Sequence, residues 1–170
     1  MSFMQDAADE YQARLNAYTA GKDAVAMQRE APAIIASLIH RVSAEALTRC
    51  PANGGWSVRD ILAHLADDEL VSSWRYRQML ENSGVALGGF DQDQWARLGD
   101  YESWPPHEAF ETFRLLRVAN LRLFAKLTPD QWECHGGHAE RGRITVAELA
   151  RHMAGHDWNH MQQIRRLLDR

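Results

Sequence analysis

Apolar residues recur at intervals of three and four along most of the chain, the spacing that places them on one face of an α-helix. Alternating apolar and polar positions, which are typical of a half-buried strand, form no convincing run. The pattern predicts long helices over about residues 3–20, 24–39, 57–82, 105–127 and 145–168. We therefore expect an all-α protein.

Several helix boundaries carry a specific local signal. Ser57 with Asp60, and Thr145 with Glu148, form the pattern of a capping box at a helix start. Pro32 interrupts the second helix and predicts either a kink or a fresh start there, because proline removes a helical hydrogen bond.

The connections between these helices complete a prediction of the fold. Residues 84–105 contain paired glycines and paired prolines and read as a long crossover with one short helical turn. Residues 135–143 read as a polar, glycine-rich loop. We expect a single domain over residues 1–170, a four-helix bundle with a long crossover connection and short extra helices.

The composition argues against several classes of function. A formal net charge of −4 with scattered basic residues does not suit a nucleic-acid surface. No apolar run reaches the roughly 20 residues that cross a bilayer, and the acidic N-terminus lacks a signal-peptide core. We expect a cytoplasmic protein with no nucleic-acid or membrane partner. Cys50 and Cys134 lack CxxC spacing and are expected to be free thiols.

The last helix carries a pair of histidines on its apolar face. Each helical residue advances about 100° around the axis. With Leu149 taken as the origin, His156 lies at about −20° and His160 at about +20°, in the centre of the apolar stripe. His152 lies on its flank at about −60°, and Gln163 lies inward at about −40°.

This pair has two interpretations. A single histidine on an apolar face is usually a core side chain satisfied by hydrogen bonds. Two adjacent buried imidazoles leave several ring nitrogens to satisfy, and each failure costs free energy. A divalent metal ion removes that cost, because both rings can bind the same ion.

The third helix offers one more histidine on its inward side. His64 lies beside Ile61 and one turn before Asp68. It is either a core or boundary histidine bonded to Asp68 or a third metal ligand from a facing helix, as in other bundles with cofactor sites. Three histidine ligands leave at least one coordination position open, which is typical of catalytic metal sites.

A resemblance to the DinB-like, or YfiT-like, family of metal-binding proteins is carried by two segments, GWSVRDILAHLADDE (55–69) and GHDWNHMQQI (155–164). Their order matches as well: a tryptophan-serine helix start, a histidine eight residues after that tryptophan, and a terminal HxxxH followed by glutamine and isoleucine. The resemblance spans about residues 25–168.

The resemblance implies an up-down-down-up four-helix bundle, often a homodimer, in which His64, His156 and His160 hold zinc or nickel. Relatives include bacillithiol-dependent S-transferases, mycothiol-dependent maleylpyruvate isomerases and proteins named as metal-dependent hydrolases, so the family does not fix the reaction. His138 and His152 match positions that are often histidine in relatives without being the usual ligands.

Other side chains are candidates for the surroundings of the site. Asp68 and Asp157 are able to orient a ligating imidazole through its other ring nitrogen, although Asp157, at about +80°, points toward a neighbour or solvent. Asp68, His152 and Gln163 are the stronger candidates. Glu69 is expected on the helix surface or in a salt bridge, with a role as general base as the alternative.

These observations favour a metal-dependent enzyme that acts on a small molecule, either a hydrolase or an S-transferase with a low-molecular-weight thiol as cosubstrate. One alternative is a metal-binding protein of the stress response without catalysis, and another is a bundle with structural histidines. Among the six tryptophans, Trp95 and Trp104 in the crossover are the ones expected to line a pocket.

Overall fold

The computed structural model describes residues 3–52, 54–139 and 141–169, with side chains from residue 9 onward. Its helices are α1 (Phe3–Thr19), α2 (Ala24–Ile39), α3 (Ala44–Thr48), α4 (Val58–Glu81), α5 (Gln92–Leu98), α6 (Pro106–Phe124), α7 (Pro129–Trp132) and α8 (Val146–Leu167). Its strands are β1 (Val85–Leu87), β2 (His135–His138) and β3 (Gly142–Thr145).

Helices α2, α4, α6 and α8 form a four-helix bundle in which α4 and α6 run parallel. Glu69 of α4 pairs with Arg117 of α6, and Tyr76, two turns later in α4, packs against Phe124, two turns later in α6. The long crossover between these helices makes the parallel arrangement possible, because the chain must return along the bundle before α6 begins.

The remaining directions follow from contacts with α8. His64 near the start of α4 meets His156, whereas Ser72 farther along α4 meets Met153, so α4 and α8 are antiparallel. Helix α2 runs parallel to α8: Gln28 near its start bonds to the carbonyl of Ala150, and Ile35 near its end shares a buried cluster with Ile164. The bundle therefore has the predicted up-down-down-up arrangement.

The predicted helix boundaries at the two capping boxes are confirmed. The side chain of Ser57 accepts from the backbone N–H of Asp60, whose carboxylate accepts from the backbone N–H of Ser57. Thr145 and Glu148 make the same reciprocal pair at the start of α8. These caps fix where α4 and α8 begin, and hence the register of the histidines that follow.

Helix α2 continues through Pro32 as one helix, so no new helix begins there. Proline has no N–H to donate, which leaves the carbonyl of Gln28, one turn earlier, without its helical partner. A side chain from another helix takes that place: the Nη1 atom of Arg117 donates to this carbonyl at 3.0 Å. The buried proline is thereby compatible with an unbroken helix.

A three-stranded sheet is the main departure from the prediction. Strand β1 lies in the segment predicted as a crossover, and β2 and β3 replace most of the loop predicted at residues 135–143. β1 pairs in parallel with β2, which pairs in antiparallel with β3. The strand β2, His-Gly-Gly-His, has no β-branched residue, and Gly136 is needed because a Cβ there would lie 2.6 Å from Leu87.

The buried core is divided along the bundle by a polar layer. One apolar cluster includes Ile61, Phe113 and Ile164, and a second includes Tyr76 and Phe124. Between them in helix order lie buried polar residues, among them Gln28, Glu69, His156, Asp157, Arg117 and Asn120. In the described part of the chain, no helix is long and apolar enough to cross a bilayer.

Helix α1 packs against the outer side of α8 at a glycine. Leu15 of α1 is almost completely buried, and a Cβ built on Gly155 would lie 2.7 Å from the carbonyl oxygen of Leu15. Gly155 thus permits the close approach of α1 to α8 directly beside His156.

We expect Gly155→Ala to lower the free energy of unfolding by about 1–3 kcal/mol, because the added methyl group pushes α1 away from α8. Urea denaturation followed by circular dichroism measures this. Helix propensity alone would stabilise the variant by up to about 1 kcal/mol, so a stabilised Gly155→Ala would contradict the packing described. Gly137→Ala, where a Cβ meets nothing within 4 Å, is the matched control.

Candidate metal centre

Three histidine side chains from two facing helices converge inside the bundle. His64 belongs to α4, His156 and His160 belong to α8, and all three are buried. The Nε2 atoms of His64 and His156 are 3.0 Å apart, and those of His156 and His160 are 3.1 Å apart. In the described part of the chain, this triad is the one cluster of histidine, cysteine or acidic side chains with metal-ligating spacing.

The three imidazoles are neutral in neutral solution. Burial lowers the pKa of His64 to about 3, helped by the proximity of His160. Burial also lowers the pKa of His160 to about 4 and brings that of His156 well below its usual range. Neutral imidazole is the form that binds metal ions, so each ring is able to offer a nitrogen lone pair.

The hydrogen bond of His160 fixes which of its ring nitrogens faces the other two rings. Its Nδ1 lies 3.1 Å from the side-chain oxygen of Gln163 and donates to it. The proton is then on Nδ1, which leaves Nε2 as a lone pair directed at His156. Gln163, predicted to lie inward near the site, has the position of a residue that orients a ligand through its outer nitrogen.

The donor set fits a divalent cation. Nε2 of His156 is in close contact with Nε2 of both His64 and His160. Because Nε2 of His160 carries a lone pair, a single proton on Nε2 of His156 would have to donate to both neighbours. Without that proton, the lone pairs of His156 and His160 would face each other. A cation among the three atoms removes this conflict by accepting all three lone pairs. Bonds of about 2.0–2.1 Å at a tetrahedral angle place donor nitrogens roughly 3.3 Å apart. The Nε2 atom of His156 lies 3.0 and 3.1 Å from those of His64 and His160, which is close to this value.

Asp68 lies on the side of the triad toward which the Nε2 atoms point. Its Oδ2 atom is 3.4 Å from Nε2 of His156, whereas the predicted contact is with the other ring nitrogen. Nδ1 of His156 is buried and has no hydrogen-bond partner among the described residues. Burial raises the pKa of Asp68 to about 7, and the guanidinium of Arg75 opposes this rise. Because Oδ2 lies on the Nε2 side of His156, the carboxylate faces the place where a cation and its reactants would meet.

Two further rings border the triad without joining it. His152 stacks against His156 at a centroid distance of 6.3 Å, in the flanking position predicted from the helical wheel. The indole of Trp56 lies 4.8 Å from the ring of His64 and covers it from the other side. Trp104, predicted to line a pocket, is partly buried and packs against the apolar core.

A fully buried arginine ties the helices together beside the triad. The guanidinium of Arg117 on α6 donates to both oxygens of Glu69, at 2.9 and 2.7 Å, and to both oxygens of Asp157, at 2.6 and 3.2 Å. Asn120 donates to Glu69 at 2.8 Å. Burial alone would lower the pKa of Arg117, but the carboxylates of Asp157 and Glu69 reverse the effect and raise it, so the arginine stays charged.

The sequence predicts this network only in part. Glu69 is expected on the surface or in a salt bridge, and it lies in a buried salt bridge; Asp157 faces the neighbouring α6, which is one of its two predicted settings. Arg117 and Asn120 were missed. Their signal is visible in the sequence, because they occupy the inward stripe of α6 between Phe113 and Phe124 and interrupt it with polar groups that require buried partners.

Comparisons with known proteins agree with this arrangement. The sequence profile of the DinB superfamily matches residues 27–164. A protein of Oceanobacillus iheyensis, named for an inferred metal-dependent hydrolase activity, is 25% identical over 139 residues, covering 82% of this chain and 80% of its own length. YfiT of Bacillus subtilis, named in the same way, is 26% identical over 121 residues, covering 71% of this chain and 68% of its own.

A solved structure of YfiT from Bacillus subtilis has a similar fold. The TM-score is 0.79 at 23% sequence identity, with 85% of this chain and 83% of that chain covered. The YfiT structure is described as a four-helix bundle with an unusual topology.

We expect Arg117→Met to lower the free energy of unfolding by about 3–5 kcal/mol, because two carboxylates remain buried without their counter-charge. Chemical denaturation measures the loss. Arg114→Met is the matched control, since Arg114 pairs with Glu111 on the exposed side of the same helix and its loss should change little. Equal effects of the two substitutions would contradict the role described for Arg117.

Proposed function

The chain belongs to the DinB superfamily, and from that premise we propose that it is a metal-dependent enzyme acting on a small molecule. His64, His156 and His160 would hold one divalent cation, zinc or nickel, since imidazole ligands suit both. The observation that carries the proposal is the convergence of three buried, neutral Nε2 atoms from two facing helices.

A cation held by three protein ligands keeps a position open and lowers the pKa of a water or thiol that reaches it. The chain's own residues prepare this position. Gln163 accepts the Nδ1 proton of His160, which directs the Nε2 lone pair of that ring at the cation. The carboxylate of Asp68, 3.4 Å from Nε2 of His156, would take the proton of the nucleophile. Trp56 covers the ring of His64 and limits the access of bulk water.

Hydrolysis is the reaction that the names of the relatives favour, and it needs only water as the second reactant. Transfer of a low-molecular-weight thiol to an electrophile is the alternative chemistry at the same open position. Both reactions use the same residues for holding the cation and accepting the proton, so the triad is tested independently of the reaction.

We expect the purified protein to retain about one equivalent of zinc or nickel per chain after loading and gel filtration, measured by elemental analysis. His160→Ala should lose it, because two imidazoles hold the ion far more weakly than three. His107→Ala should retain it, because the side chain of His107 is 80% exposed and lies outside the triad. Wild-type protein without bound metal, or retention in His160→Ala, would contradict the proposed site.

Activity separates an enzyme from a metal-binding protein. The loaded protein should hydrolyse members of a panel of esters, amides and lactones, or conjugate thiols to electrophiles. Asp68→Asn should retain the metal and lose most of this activity, since an amide does not accept the proton. Metal binding with no turnover of either panel would favour a binding protein over an enzyme.

A further inference from the structure

Two large apolar side chains of α4 point away from the bundle core. Leu70 is 49% exposed and Trp74 is 62% exposed, and they lie one helical turn apart. Exposed single apolar residues are common, but an exposed tryptophan beside a leucine forms a patch that water solvates poorly. This patch faces the crossover between α4 and α6 across an open space.

The open space is a cleft of about 590 Å³ between α4 and the crossover. Gly88, Gly89 and Phe90 form its far wall together with Trp95, whose ring lies 4.9 Å from that of Phe90. The prediction that Trp95 lines a pocket agrees with this position. The lining is mostly apolar and aromatic, contains no acidic side chain among the described residues, and has the size of small-molecule sites, which occupy about 300–1,000 Å³.

Two lining residues of the cleft lie on the same face of α4 as His64 and Asp68. His64, Asp68, Val71 and Arg75 follow at intervals of four, three and four, which places them on one side of the helix. Val71 and Arg75 line the cleft. At a rise of about 1.5 Å per residue, the cleft begins about 10 Å beyond His64 along the helix axis.

Arg75 holds the far wall of the cleft in place. Its side chain is buried, and its Nη2 atom donates to the carbonyl of Gly88 at 2.6 Å, which keeps the crossover against α4. Arg75 lies two helical turns after Asp68 on the same side of α4.

We infer that this cleft binds the apolar, aromatic portion of the small molecule whose reactive bond is placed at the triad. Trp74 and Trp95 provide faces for stacking, and Leu70 and Val71 provide aliphatic contact. The lining has no acidic side chain among the described residues and so offers nothing to balance a cationic group. The inference rests on the proposed function in naming the bound group as part of its substrate.

The size of the cleft favours a small molecule over a second copy of the chain. A stable interface between proteins buries about 800 Å² on each partner and involves roughly 20–30 residues a side. Nine residues line the cleft, and its volume of about 590 Å³ lies in the range of small-molecule sites.

Binding of the neutral fluorophore N-phenyl-1-naphthylamine to the full chain tests the cleft. We expect one molecule per chain, in metal-free and metal-loaded protein alike, with the dissociation constant raised about tenfold or more in Leu70→Glu and in Trp95→Ala. The matched control is Leu115→Glu on α6, because Leu115 is 58% exposed, similar to Leu70, but lies outside the cleft lining. Equal binding to Leu70→Glu and Leu115→Glu would overturn the inference.

Two further readouts distinguish binding in the cleft from binding elsewhere and from dimerisation. Signals of the bound fluorophore should broaden in NMR spectra when paramagnetic Co²⁺ replaces Zn²⁺ at the triad. Unchanged signals would show that the fluorophore binds elsewhere and would overturn the inference.

The oligomeric state of the wild type and of Leu70→Glu tests for dimerisation. If the wild type bound no fluorophore and its dimer dissociated in Leu70→Glu, the cleft would be an interface and the inference would be overturned. If the triad bound no metal, the proposed function would fail while the fluorophore titration would still decide whether the cleft binds an aromatic group.

Discussion

The bidentate contacts of Arg117 with Glu69 and Asp157 are the constraint on which the rest of the structure depends. They join α6 to α4 and α8 in the middle of the bundle, and a third contact to the carbonyl of Gln28 adds α2. A buried guanidinium is tolerable only when its donors are satisfied and its charge is balanced. The observed arrangement of the four helices meets this condition for Arg117.

That arrangement also determines the positions of the triad residues. Glu69 follows Asp68 directly in the chain, and Asp157 follows His156 directly. Fixing the two carboxylates against Arg117 consequently fixes the backbone that carries the ligand-facing side chains. The short distances among the three Nε2 atoms are a consequence of this bracing, together with the caps at the starts of α4 and α8 that set the register of both helices.

Local signals made the helices and the inward face of the histidines predictable from sequence, whereas the directions of the helices followed from the resemblance to the DinB-like family. The capping boxes and the apolar stripe of α8 each act within a few residues, so a single sequence contains them. The sheet was missed because β2 depends on pairing with distant strands rather than on its own residues. The contacts of Arg117 and the side of His156 approached by Asp68 were missed for the same reason, since both need the packed helices.

X-ray absorption spectroscopy of the zinc-loaded protein tests most directly whether the triad is a metal site. Coordination by His64, His156 and His160 predicts three imidazole nitrogens at about 2.0–2.1 Å from the ion and no sulfur. A sulfur scatterer at about 2.3 Å, which would come from Cys50 or Cys134, or fewer than three imidazoles, would contradict it.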